Sequence, residues 1–137
     1  MKNLKITLVI LFAAIAVMSC KNSTENNDLK EPDAKVIVYY FHGEQRCATC
    51  NAVEEVTKST IEEYFADNED VAFVVVDFSK DENEELANKY EIAFSSLIIV
   101  SDEEVIDLTD DAFANARSNP DALEEIVINQ VNKYLNN

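Results

Sequence analysis

The chain has 137 residues, room for one compact domain, and its 47% hydrophobic content supplies a core that a disordered chain would lack. Aspartate and glutamate outnumber lysine and arginine 27 to 11, and the resulting formal charge of −16 repels phosphate backbones and so excludes nucleic-acid binding. A single glycine, Gly43, leaves no Gly-rich phosphate loop, and a single histidine, His42, leaves no two-histidine metal site.

Residues 1–20 read MKNLKITLVILFAAIAVMSC. Lys2 and Lys5 precede an apolar run from Ile6 to Met18, about 13 residues against the roughly 20 that a membrane-spanning helix needs. That length suits an export signal. The segment closes on Val17-Met18-Ser19-Cys20, which resembles the lipobox of bacterial lipoproteins. The resemblance implies cleavage after residue 19 and acylation of Cys20. The product would be held by its lipid in the bacterial cell envelope, facing the periplasm or the outer surface. An ordinary cleaved signal and an uncleaved anchor are the alternatives. Acyl chains, at about 0.8 kcal/mol per buried CH₂, make a firm anchor. Removing residues 1–19 takes two lysines and leaves −18. With Cys20 lipidated, Cys47 and Cys50 remain as an even pair in an oxidising setting. Residues 20–34 then comprise the lipidated cysteine and a polar, flexible tether, and the folded domain is expected over 35–137.

From Lys35 onward strand and helix patterns alternate. Val36 to Phe41 is an unbroken apolar run, as expected of a central strand covered on both faces. His42 to Arg46 leads into Cys47. Cys50, Val53, Val56/Thr57, Ile61 and Tyr64/Phe65 then recur at helical spacing, with Glu54, Glu55, Glu62 and Glu63 outside. Val71 to Phe78 reads as a second buried strand. Ser79 and Glu82 have capping-box spacing and open a helix through Tyr90 that buries Leu86 and Ala87. Leu97 to Val100 and Val105 to Leu108 flank a polar hairpin loop. A short helix is expected over 111–117. Asn119-Pro120 then caps a closing helix with a stripe of Leu123, Ile126/Val127, Val131 and Tyr134/Leu135.

The order is β-α-β-α-β-β-α, with Cys-x-x-Cys directly after the first strand. Over roughly residues 35–137 the chain resembles the thioredoxin-like family. Val38 to Cys50 is similar to that family's first strand, loop and redox-helix start. Val74-Val75-Val76-Asp77, followed by Glu85 to Ile92, resembles the next strand and helix, and Leu97 to Val100 the third strand. The resemblance implies an α/β fold with a four-stranded mixed central sheet flanked by helices. It also implies a thiol–disulfide oxidoreductase acting on protein thiols and disulfides without a cofactor. Two positions depart from the family. Ser96 stands where thioredoxins carry a cis-proline facing the dithiol, so substrate docking is expected to differ. Tyr40 stands near the position of a buried acid, and a phenol is no base near neutral pH.

The spacing itself supports redox chemistry. A thiolate is the nucleophile in disulfide exchange, and a helix N-terminus directs unpaired N–H groups and a positive dipole end at Cys47. Arg46 would add to this unless it pairs with a carboxylate such as Glu44. Glu44 and Glu54 oppose the thiolate. Cys50 shares a helix side with Val53 and is expected to be buried and protonated. Three other readings stand beside this one. Cys47–Cys50 would be a static disulfide, or Cys47, Cys50 and His42 would bind Cu(I) or Zn(II) as a metallochaperone-like module, or the domain would be a non-catalytic interaction module. His42 reads equally as a site-rim or a strand-end residue. Tyr39, Tyr40 and Phe41 read as core, and the acidic runs 81–85 and 102–104 as solvated faces.

Overall fold

The structure, a computed structural model, describes residues 31–102 and 104–137. The expected leader (1–19), the lipidation site Cys20 and the tether up to residue 30 lie outside the described residues, as does Glu103.

Among the described residues four strands, β1 (Val36–His42), β2 (Val71–Asp77), β3 (Ser96–Ser101) and β4 (Glu104–Asp107), form one sheet in the order β2-β1-β3-β4. β1 runs parallel to β2 and antiparallel to β3, and β3 is antiparallel to β4, so the sheet is mixed as expected. Among the described residues four α-helices cover it: α1 (Ala48–Tyr64), α2 (Glu84–Lys89), α3 (Thr109–Asn115) and α4 (Pro120–Leu135).

Side chains alternate across a strand, and β1 uses both of its faces. Val36, Val38 and Tyr40 join Val53 and Ile61 of α1, Ala112 of α3 and Leu123, Val127 and Val131 of α4 in one core. Ile37, Tyr39 and Phe41 face the other way, against Leu86, Tyr90 and Ile92 around α2. Burial on two faces is the physical reason for the unbroken apolar run. Tyr39, Tyr40 and Phe41 are core, at 1%, 0% and 0% exposure.

Several local expectations give way to tertiary structure. β2 is an edge strand and only half-buried, with Val75 exposed. Its apolar residues still pack in part against both cores, Val71 and Phe73 on one face and Ala72 and Val74 on the other. The expected Ser79 capping box does not form. The Ser79 hydroxyl donates to Asp77 Oδ1 at 2.6 Å, and the helical turn after it is a 3-10 turn over Asp81–Asn83, with Lys80 at its start. Asn83, buried, donates to the Asp77 carbonyl at 2.8 Å, so Asp77 organises this corner in place of Ser79. Ala87 is buried and Leu86 half-buried. Tyr64 turns outward to donate to Glu124 at 3.0 Å, leaving Phe65 and Thr60 to close the α1 stripe. α3 starts at Thr109, two residues before its expected start, because Thr109 N–H bonds Asp107 Oδ1 at 2.8 Å. Pro120 opens α4 as expected, but the Asn119 side chain makes no capping hydrogen bond.

Glu31, which the sequence places in the tether, is docked on the domain. It accepts from Lys89 Nζ at 2.8 Å and from the hydroxyls of Tyr90 and Tyr39 at 3.2 and 3.3 Å. The Lys89 hydrogen bond holds its carboxyl below the usual range.

Candidate active site

β1 ends at His42, and the chain crosses Gly43–Arg46 before α1 begins at Ala48. Cys47 is the N-cap of α1, with extended backbone (φ −79°, ψ 167°). Its Sγ takes the place of a capping oxygen and accepts from the Cys50 N–H at 3.1 Å. No acidic residue lies in the first turn of α1, so its positive end is locally uncompensated. Cys47 and Cys50 are joined as a disulfide, their Cα atoms 5.0 Å apart. Cys47 is exposed, whereas Cys50 is buried at 7% exposure. The expected division between an accessible and a sheltered sulfur is present.

Three residues singled out from sequence surround the pair in ways their spacing leaves open. Arg46 does pair with a carboxylate, but the partner is Glu54, not Glu44. Glu54 lies on α1, where the helix carries it back over the loop; Glu44 stays exposed. The Arg46 guanidinium also sits over the Tyr40 ring, 5.7 Å from its centroid. His42 is the last residue of β1, half-buried, with Nδ1 2.9 Å from the Gly43 carbonyl and its ring 6.1 Å from that of Tyr40. Among the described residues, no group of three or more His, Cys, Asp or Glu side chains is gathered to hold a metal ion, so Cys47, Cys50 and His42 do not form one. Ser96 opens β3 opposite Phe41, is buried, and donates from Oγ to the Phe94 carbonyl at 2.9 Å. No peptide bond among the described residues is cis.

Tyr40 does more than fill the core. Its hydroxyl donates to the Cys50 carbonyl at 2.8 Å and ties the first turn of α1 to the middle of the sheet. Burial pushes its phenol above the usual range, against the opposing pull of hydrogen bonding and charge from Arg46. Tyr40 is therefore a brace and not a proton acceptor.

Sequence reading missed one wall of the site. A cavity of about 380 Å³ beside Cys50 is lined by Phe94, Ser95, Thr109, Asp110 and Phe113. Its shape follows from β3. The Leu97 N–H donates to Thr109 Oγ1 at 3.1 Å, and the Leu108 N–H to the Leu97 carbonyl at 2.8 Å. These bonds draw the start of α3 against the loop before β3. Phe94 is 65% exposed there, and the one signal in the sequence is an aromatic residue followed directly by Ser95 and Ser96.

No protein-family model matches the chain, and no curated protein sequence matches it. Among solved structures it is similar to human ERp44 in its zinc-bound form, at 21% identity and a TM-score of 0.53, over 78% of this chain and 29% of that one. It is also similar to a mutant thioredoxin from Halobacterium salinarum NRC-1, at 23% identity and a TM-score of 0.49, covering 74% and 79% of the two chains. Oxidized mitochondrial thioredoxin 3 from Saccharomyces cerevisiae matches at 23% identity and a TM-score of 0.46, over 72% and 81%.

Proposed function

We propose, for a chain whose fold is thioredoxin-like, that Cys47 and Cys50 exchange a disulfide with protein substrates in the bacterial cell envelope, where a lipid on Cys20 anchors the protein. The observation that carries the redox reading is the N-cap geometry: an exposed sulfur at a helix start, bonded to a buried sulfur one turn on. A disulfide between cysteines three positions apart closes too small a loop to restrain the unfolded chain much, so a purely structural role gains little.

In the reducing direction, Cys47 thiolate attacks one sulfur of a substrate disulfide. A Cys47–substrate bond forms, and the other substrate sulfur leaves as a thiolate and takes a proton. Cys50 then loses its proton to water, attacks the Cys47 sulfur and releases the second substrate sulfur. The substrate gains two electrons and this protein returns to its disulfide. The oxidising direction is the reverse. The aromatic walls of the cavity beside Cys50 supply apolar surface for the substrate chain, and Ser96 holds the main chain of one wall through its hydrogen bond to the Phe94 carbonyl.

The test is equilibration of the full chain with mixtures of reduced and oxidised dithiothreitol, followed by alkylation. The peptide carrying both cysteines is expected to pass between no alkylated thiol and two; a pair that stays locked in either state refutes the reading. Anchoring has its own check. Expressed in a bacterium, the wild-type chain is expected in the membrane fraction, and Cys20→Ser is expected to move it to the soluble envelope fraction. Equal partitioning of the two removes the lipid anchor from the proposal.

A further inference from the structure

Arg46 stands one residue before Cys47, where an unopposed cation would favour the thiolate, yet its guanidinium is bound to Glu54. Each of the two side chains keeps 26% of its surface, so the pair is neither sealed in the core nor fully solvated. The guanidinium is held over Tyr40, and its Nε is buried without a partner. Beneath it the Tyr40 hydroxyl braces the Cys50 main chain. A cation beside one cysteine is thus fastened to an anion one turn beyond the other.

We propose that Glu54 is a positioning residue that sets the redox balance of the dithiol by holding and neutralising Arg46. This rests on the oxidoreductase reading above. With Glu54 in place, Cys47 is less acidic than its helix terminus and Arg46 together would make it. Reduction adds two electrons and two protons to the disulfide, and Cys47 then sheds its proton to solvent to an extent set by its surroundings. Whatever stabilises that thiolate stabilises the reduced protein and makes the disulfide a stronger oxidant.

The other titratable side chains near the dithiol are His42 at the end of β1, Glu44 in the loop and Asp110 at the start of α3, beside the Cys50 cavity. None of these has an ion-pair partner among the described residues. Arg46 and Glu54 are matched, and that gives the proposal its signature. Neutralising Glu54 removes an anion and releases a cation. Neutralising Arg46 removes the cation and leaves the anion. The two changes must therefore move Cys47 in opposite directions, whereas lost packing would not reverse sign with the residue removed.

The experiment uses the full chain after reduction and removal of the reductant. The rate of iodoacetamide alkylation at Cys47 is followed against pH by mass spectrometry of its peptide, and the dithiothreitol equilibrium is measured in parallel. Glu54→Gln is expected to raise the thiolate-to-thiol ratio about threefold or more and to shift the equilibrium toward the reduced protein by a similar factor. Arg46→Met is expected to lower both by a comparable factor. The double variant is expected to lie between the single ones, within about twofold of wild type, and Arg46→Lys and Glu54→Asp to stay near wild type. Shifts of the same sign in Glu54→Gln and Arg46→Met, or no shift in either, overturn the proposal; circular dichroism of each variant identifies one that has unfolded, and Arg46→Gln then replaces Arg46→Met. Alkylation needs no turnover. Opposed shifts in a chain that fails to cycle would keep the clasp and remove the oxidoreductase reading.

Discussion

Cys50→Ser is expected to turn the protein from a turnover catalyst into a trap. The Cys47 sulfur caps α1 and is exposed, so it remains able to attack a disulfide when its partner is lost. What disappears is the second displacement. In the wild-type chain the resolving sulfur is one helical turn away, its main chain pinned by the Tyr40 hydroxyl at 2.8 Å. Well-oriented intramolecular groups can reach effective concentrations of about 10⁵ M. No external thiol at millimolar concentration replaces that. Incubated with oxidised glutathione, Cys50→Ser is expected to accumulate one glutathione per chain on Cys47, with steady-state exchange falling more than about 100-fold. Cys47→Ser is expected to form no such adduct and to lose exchange altogether, because the remaining sulfur is buried. Intact-mass spectra and the rate of glutathione release check both. An adduct carried by Cys50 in the Cys47→Ser chain, or exchange at the wild-type rate in either variant, would reverse the assignment of the two sulfurs.

The second large effect is on stability. Ile99 lies at the middle of β3, between Val38 of β1 and Ile106 of β4, and is fully buried in the core under α1 and α4. Truncation to alanine removes its apolar contacts on a face where the helices cannot collapse inward, at a cost of about 2–5 kcal/mol. Against a total of about 5–15 kcal/mol for a domain, that is a large share. With a urea dependence of about 1–3 kcal/mol per molar, the unfolding midpoint of Ile99→Ala is expected to fall by at least about 0.7 M. Val105→Ala, on the exposed side of β4, is the control. Val105 is 51% exposed, and its loss is expected to stay within about 0.5 kcal/mol. Equal midpoints for the two variants would mean that the β3 core does not carry the fold.

Both effects depend on how β1 delivers α1. The strand is buried on two faces, so its position is rigid, and the helix start is set by the five-residue segment that follows it. A nucleophile at that junction inherits the sheet's rigidity and the helix's electrostatics together. The ion pair between Arg46 and Glu54 sits beside that junction, and under the proposal above it adjusts the sulfur without touching the frame.

The composition of β1 identified it as the central strand, because only burial on both faces tolerates six consecutive apolar residues. The same holds for the start of α1 at Cys47 and for the sheltering of Cys50, since both follow from short-range helical spacing. Local rules failed where a distant or competing partner intervened. Ser79 had capping spacing, but the Asp77 carboxylate took its hydroxyl. β2 read as buried because its valines match those of β1, yet the strand order leaves it at the edge. Arg46 had three carboxylates within ten residues, and only the turn of α1 decides that Glu54 meets it. The walls beside Cys50 come from Phe94 and Phe113, nineteen positions apart, brought together by Leu97 and Thr109. Periodicity and helix-end chemistry are properties of a few neighbouring residues, so the chain alone determined most of its elements, its cysteine pair and which sulfur is sheltered. Charge pairing and cavity shape belong to side chains that meet only after the sheet has ordered its strands, and the tertiary structure decided them.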